Sequence, residues 1–483
     1  MSASAQQPPL GKDTSRAMSV AALCLGTLAV QFDSAVNVAF PDLVHAFALP
    51  IADIQWIVIA YTLTYAALML VFGRTGDIFG HRLVFLLGAA GSALAFALCM
   101  LSTSYGTLLA ARVLQGVGAA LVLSCGPALL TGLYSETHRP RLLGLYTLLI
   151  GLGGAAGPIV GGLLVERWGW PAVFAFRLPF ALAALVAGFA LPAAPSSPSR
   201  ERFDAGGATL LVLAISSALL GLNQLQPSGN TAMGILLLGV SGLLCTAFAW
   251  HEARTKQPVI DVTLFRDPDF ALLNVAHALL NLAGFALLLL APFYLVAIGG
   301  LAASAAGMVL SASPVGVIVA APLANRLASS LHPRRMALLG ALLSACSLTV
   351  ISMLGSPSVH ALGLQATLPV LILAAFAQGL GVGLFQVAYF DIATASLPKQ
   401  NRGVAGSLVL MTRTLGLVIG ANLLMLAFSA FSGIANGDPD DTPALLLGFK
   451  GAFTLAALIS FTVVALALLR GWMRTVRPDR AAA

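Results

Sequence analysis

The chain has 483 residues, 59% of them hydrophobic and only 9% charged, with a formal net charge of +7. Soluble domains carry about 25% charged residues, so this composition excludes a water-soluble globular protein, and the mean hydropathy of +0.94 points to an integral membrane protein. The basic excess does not indicate nucleic acid, because all but five of the 25 Lys and Arg fall on tails and loops that share one side of a membrane.

A helix needs about 20 apolar residues to cross the hydrocarbon. Fourteen stretches qualify, at 18–40, 54–72, 83–103, 106–131, 142–165, 171–192, 205–224, 231–251, 271–296, 302–326, 336–355, 365–393, 404–430 and 446–470. The exceptions to the charge bias are Arg112, Arg177 and Arg413 within helices and Arg167 and Lys450 near the outer surface, so the positive-inside rule puts both termini in the cytoplasm. The tail before residue 18 has no cleavable signal pattern, and the first stretch reads as helix 1. Polar segments PAAPSSPSRERFD and HEARTKQPVIDVTLFRDPD divide the helices six, two and six. This predicts an all-α polytopic protein with an N-terminal six-helix bundle over 1–192, a linker and two-helix insert over 193–252, and a C-terminal six-helix bundle over 253–483. The loops GRTGDIFGHR (73–82) and NRLASSLHPRR (325–335) are both basic and echo each other weakly, as in transporters built from repeats.

Enzyme classes find no support. There is no P-loop lysine motif and no nucleophile elbow. The five cysteines (24, 99, 125, 245 and 346) lie in apolar segments without metal or disulfide spacing, so neither a cofactor nor a metal is expected. The run GLGGAAGPIVGG (151–162) matches the letters of a dinucleotide loop, but no strand precedes it and apolar sequence surrounds it. Its Gly153, Gly157 and Gly161 recur every four residues instead, a smooth face for close helix approach. Pro158 bends the same helix.

Polar residues inside apolar spans are costly and mark function. Asp33 sits within helix 1 with Asn37 one turn on, as a proton or cation carrier or as a structural carboxylate held by its neighbours. Arg112 and Gln115 share a face of helix 4; such an Arg needs a partner, water or freed backbone carbonyls. Asn274, His277 and Asn281 form a stripe on helix 9, facing either a cavity or another helix. Arg177, roughly 10 Å inside the outer end of helix 6 at 1.5 Å per residue, has three readings: snorkelling to the surface, pairing with Glu166, or attracting an anionic substrate group. Tyr61, Tyr65, Gln378, Gln386 and Tyr389 are candidate cavity contacts. Asp391 reads as interfacial.

Several of these motifs resemble, in order, the major facilitator superfamily and its fourteen-helix drug:proton antiporter branch. They are FDSAVNVAFP (32–41), QWIVIAYTLTYAAL (55–68), GRTGDIFGHR (73–82), LLAARVLQGVGAAL (108–121) and GAAGPIVGG (154–162). The resemblance implies that Asp33 and Arg112 couple transport to protons. It implies that Gly73, Arg74, Asp77, Gly80 and Arg82 form a cytoplasmic latch, with His81 replacing the usual basic residue and Ser329 replacing the Asp in the second half. Helix 9 would line the cavity. Gly153, Gly157, Pro158, Gly161 and Gly162 would be the signature that marks exporters. Arg177, within WGWPAVFAFRLPF, stands where the family usually has Asn, which weighs against a typical cationic-drug specificity. The implied function is export of amphipathic small molecules in exchange for protons by alternating access. The scarcity of long loops suggests a bacterial cytoplasmic membrane, with a monomer among lipids expected there, and the charge distribution argues against a nucleic-acid partner. Rival readings are an exporter of an endogenous metabolite, organic acid or lipid, and a non-transporting receptor or scaffold.

Overall fold

The structure, a computed structural model, describes residues 10–133, 139–192, 204–225, 229–255, 266–328, 330–356, 363–396, 402–433 and 442–471. The side chains of residues 10–15, several in 52–78, most of 127–148 and those of 402–411 are outside this description. The regular elements among the described residues are all helices, without strands. Eleven of their helices are long and apolar enough to cross a membrane.

The chain folds as two compact units. The first comprises residues 1–218, 239–260 and 302–308, and the second 219–238, 261–301 and 309–483. In the first unit, α1 (Leu10–Gln31) runs into a 3-10 turn at Phe32–Ser34, then α2 (Ala35–Val38) and α3 (Phe40–Phe47). There follow α4 (Gln55–Phe79), α5 (His81–Met100), α6 (Tyr105–Leu133), α7 (Arg139–Trp168), α8 (Ala172–Ala175) and α9 (Leu178–Gly188). α10 (Ala205–Gln224) and α11 (Thr231–Glu252) come next, with their residues 219–224 and 231–238 counted in the second unit; the residues of α11 over 231–252 are mostly exposed, as expected for a lipid-facing helix. Gly80 has φ of 92° and turns the chain between α4 and α5, a conformation that a side chain would strain.

The second unit carries α12 (Pro268–Phe293), which ends in a π-helical turn at Tyr294–Ile298. Asp267 caps α12 by accepting from the Asp269 N–H. Then come α13 (Ala303–Leu310), most of which belongs to the first unit, α14 (Ala312–Leu327), α15 (Pro333–Leu354), α16 (Leu364–Ser396), α17 (Arg402–Ser432) and α18 (Thr442–Leu469). Glycines set the close packing here. A Cβ at Gly379 of α16 would strike the Ser313 carbonyl of α14, and one at Gly340 of α15 would lie 2.5 Å from the Gly381 carbonyl of α16. Lipid is as apolar as the side chains and gives no hydrophobic drive for association, so such small-residue contacts hold helices together there.

Two apolar stretches that read as continuous helices are interrupted. Helix 1 breaks at Phe32–Ser34, and helix 6 breaks at Phe176–Arg177. Pro179, the second residue of α9, cannot donate to the preceding turn and keeps α8 and α9 apart. Mid-helix 3-10 segments mark functional hinges or strain. At membrane depth they persist only where protein groups satisfy the freed backbone.

Candidate functional site

The two breaks meet. Arg177, in the turn between α8 and α9, donates from Nε to the Ala29 carbonyl (2.8 Å) and from one terminal nitrogen to the Val30 carbonyl (3.3 Å), both just before the break in helix 1. Its other terminal nitrogen donates to Asp33 Oδ1 at 2.8 Å. The guanidinium that satisfies the broken backbone therefore also holds the carboxylate that the break presents.

Arg112 grips the same carboxylate from α6. Its two terminal nitrogens donate to Asp33 Oδ1 (2.5 Å) and Oδ2 (3.0 Å), the bidentate fork that fixes a carboxylate in plane. Nε of Arg112 donates to the Ile57 carbonyl of α4 at 2.8 Å. Gln115 accepts from Arg112 at 2.8 Å and donates to Asp33 Oδ1 at 2.8 Å. Gly116 explains the reach: a Cβ there would lie 2.7 Å from the Tyr61 carbonyl, so α6 and α4 nearly touch, and one turn earlier Arg112 meets Ile57. Tyr61 lies under Arg112 and Phe96 under Arg177, with the guanidinium carbons 4.5 and 4.3 Å from the ring centroids.

The two carboxylate oxygens differ. Oδ1 accepts from Arg112, Arg177 and Gln115, and Oδ2 from Arg112 alone. The arginine side chains are 1% and 0% exposed, while Asp33 is 18% exposed. Of the three charged side chains, only the carboxylate is partly exposed.

The glycine stripe of α7 backs this segment. Cβ atoms at Gly153 and Gly161 would lie 2.5 Å from Gln31 Cβ and 2.7 Å from the Ala35 carbonyl, and one at Gly157 would collide with the Ser34 hydroxyl. That hydroxyl donates to the Gly153 and Gly154 carbonyls at 3.3 Å. Within the same unit, Gly162 lies against Ala303, and the Pro158 carbonyl against Gly307.

Other expectations fare differently. Arg177 neither snorkels nor pairs with Glu166; it is fully buried on Asp33, because the turn before Pro179 aims it inward. Asn37 is buried in α2, past the break, so it does not continue a regular helical face from Asp33. On α12, Asn274 and Asn281 donate to their own helix, at the Phe270 and His277 carbonyls (both 2.8 Å). Their amides thus turn along the helix rather than forming a common polar stripe. Asn274 also accepts from Tyr389 at 2.7 Å. His277 Nδ1 pairs with Thr412 at 2.7 Å, its ring stacked 4.5 Å from Tyr389. Gln378 accepts from Ser313 at 2.8 Å. These contacts bring α12, α14, α16 and α17 together as packing pairs. Of the loop 73–82, the side chains of Arg74 and Asp77 and the surroundings of Gly73 lie outside the described residues, as does Ser329. Arg82 donates to the Phe189 carbonyl at 2.9 Å. Among the described residues no group of His, Cys, Asp and Glu is arranged to hold a metal ion.

Sequence reasoning missed Arg177 as a partner of Asp33, although the FRLP run carries the signal: a proline two residues on ends a helix at the arginine.

Comparison with known proteins agrees with this architecture. The family model described as Major Facilitator Superfamily matches residues 22–300 and 273–482. The chain is 27% identical over 442 residues to the riboflavin transporter RibZ of Clostridioides difficile, covering 91% of this chain and 94% of that protein. It is 31% identical over 406 residues to the tetracenomycin C resistance and export protein of Streptomyces glaucescens, covering 83% and 74%. Among solved structures, a bacterial homolog of the human lysosomal transporter Spinster superposes with a TM-score of 0.68 at 16% identity, covering 98% of this chain and all of that one. With its apolar helices and bacterial relatives, the chain is a multi-pass protein of a bacterial cell membrane and a transporter rather than an enzyme. It belongs to the Major Facilitator Superfamily.

Proposed function

We propose that the protein exports an amphipathic small molecule in exchange for protons, by alternating access of two six-helix bundles. In this reading fourteen helices cross the membrane, a two-helix insert lies between the bundles, and both termini are cytoplasmic. The observation that carries the reading is the environment of Asp33. It is an acid in the interior of a span, partly exposed and gripped by two buried guanidiniums, with one oxygen accepting a single hydrogen bond. A proton arriving at Oδ2 removes the charge that holds Arg112 and Arg177 in place. The two cations, then facing a neutral acid, favour a rearrangement at the break in helix 1, where Arg177 also anchors backbone carbonyls. Substrate release and proton uptake thereby share one bistable element, which is what coupling requires. Export rather than import is supported by the glycine signature and by the tetracenomycin export relative.

The energetics suffice. One charge moved through 100 mV is worth about 2.3 kcal/mol, which supports roughly a 40-fold gradient of a neutral solute. In everted vesicles, collapsing the pH gradient and the potential separately should each slow substrate accumulation, and collapsing both should abolish it. Accumulation that survives loss of both would refute proton coupling. The likeness to a riboflavin transporter favours a second reading, in which the cargo is an endogenous metabolite.

A further inference from the structure

The buried cluster around Asp33 does not balance its charge. Arg112 and Arg177 each carry one positive charge, since guanidinium does not lose its proton in proteins. Asp33 is the acid bonded to both. The other side chains that act electrostatically on the two guanidiniums are Tyr61 and Cys99, neither an acid of the carboxylate class. Among the described residues no second carboxylate acts on the pair. The cluster therefore carries +1 when Asp33 is ionised and +2 when it is protonated, and it is neutral in neither state. A buried charge left without a counter-ion is strongly unfavourable.

We propose that the missing negative charge comes from the cargo: the protein binds an organic anion, one carboxylate or sulfonate on an aromatic body, beside Asp33. This rests on the transport reading above and narrows it. Gln31, Phe32, Asp33 and Ser34 are partly exposed, while the arginines behind them are buried. Partly exposed aromatic rings flank the same place: Phe32 meets Phe176 and Phe180 edge-on at 5.3 and 5.5 Å. An anion there is attracted by the surplus charge without displacing the hydrogen bonds that hold Arg177 to helix 1. At several ångströms and an intermediate effective dielectric, that attraction corresponds to a preference on the order of tenfold to fiftyfold over a neutral ligand.

The test uses the full chain in phosphatidylcholine nanodiscs with two radiolabelled probes of one ring system, naphthoate and naphthylmethylammonium. Naphthoate should bind at least about tenfold tighter than the cation. Arg177→Asn should erase that preference, and Arg177→Lys, which keeps the charge, should retain most of it. Equal binding of the two probes by the unaltered protein overturns the proposal, and so does a preference that survives in a folded Arg177→Asn. A lipid headgroup shares this chemistry. If phosphatidylglycerol in the discs abolishes naphthoate binding, the site is a lipid site and the soluble-anion proposal fails. The binding assay uses no gradient, so it fails independently of proton coupling: anion preference with gradient-independent transport sinks only the coupling, and coupled export with cation preference sinks only the anion.

Discussion

Replacing Asp33 by Asn should destabilise the protein more than removing Arg177. The carboxylate takes four N–H bonds, two from Arg112 and one each from Arg177 and Gln115. An Asn amide cannot accept all of these, and it leaves two buried guanidiniums without a counter-charge. Breaking a buried pair in this way costs about 3–5 kcal/mol. The 18% exposure of Asp33 places the expected loss at the lower end, about 3 kcal/mol. Arg177→Met is different. It forfeits the bond to Asp33 and those to the Ala29 and Val30 carbonyls; with the break free to close into regular helix, which gives both carbonyls backbone donors, the loss is about 1 kcal/mol for each carbonyl. It also removes the surplus charge, and replacing buried ions by apolar residues is often neutral or better. Its net loss should stay below about 2 kcal/mol. The double variant Asp33→Asn/Arg177→Met should recover part of the Asp33→Asn loss, because one stranded guanidinium costs less than two. Thermal unfolding midpoints of the purified protein in detergent give the order: Arg177→Met above the double variant, and the double variant above Asp33→Asn. If Asp33→Asn unfolds at the wild-type midpoint, or the double variant loses the sum of the singles, the shared-carboxylate account is wrong. On the proposed function, Asp33→Asn also abolishes gradient-driven accumulation in everted vesicles.

The glycine stripe makes an ordered prediction for alanine substitutions. Gly154→Ala, with nothing within 4 Å, should be neutral or stabilise by up to about 1 kcal/mol through helix propensity. Gly157→Ala meets a rotatable Ser34 hydroxyl and should cost less than Gly161→Ala, which meets the Ala35 carbonyl and Cα; equal midpoints for the three would refute close approach of α7 to residues 31–35. Gly157→Leu should prevent folding or transport outright, and a normally active Leu variant would count against the same contact. At the start of α10, burial pushes the Asp204 carboxyl up, but the Gly207 N–H and His251 outweigh it and hold the group below the usual carboxylate range. Its stabilising contribution is present above the unfolded value of about 3.9 and is lost as pH falls below it. Asp204→Asn should therefore lower the unfolding midpoint at neutral pH and close the gap to wild type in acid; a gap that persists unchanged in acid would show that the contribution is not ionic.

What the sequence disclosed was governed by contrast. A carboxylate, a guanidinium and an amide are conspicuous inside apolar runs, so Asp33, Arg112 and Gln115 stand out by residue type and position alone. The four-residue spacing of Gly153, Gly157 and Gly161 likewise marks the face that meets residues 31–35. What could not be read was which helix each polar group faces. Arg177 lies 144 positions from Asp33, and its direction depends on a turn that hydropathy smooths over. The break at Phe32–Ser34 was hidden for the same reason, since its residues suit a continuous helix when considered alone. On α12 the spacing of Asn274, His277 and Asn281 is helical, but an Asn side chain can bond its own preceding turn, and no periodicity tells which choice it makes.

The placement of both charged partners at helix breaks bears on how coupling could work. In an unbroken helix, a change of charge on Asp33 would alter one side-chain bond and leave the backbone untouched. Here the guanidinium that balances Asp33 also satisfies the Ala29 and Val30 carbonyls, so the carboxylate's charge and the geometry of helix 1 depend on the same three nitrogens. Weakening one contact releases Arg177 from all three, because they share a rigid planar group. A backbone carbonyl without a partner at membrane depth is costly, so the break must either close into regular helix or find other donors. On the proposed function, that choice between two discrete arrangements would convert a single proton into a displacement of the residues that rest on the glycine face of α7.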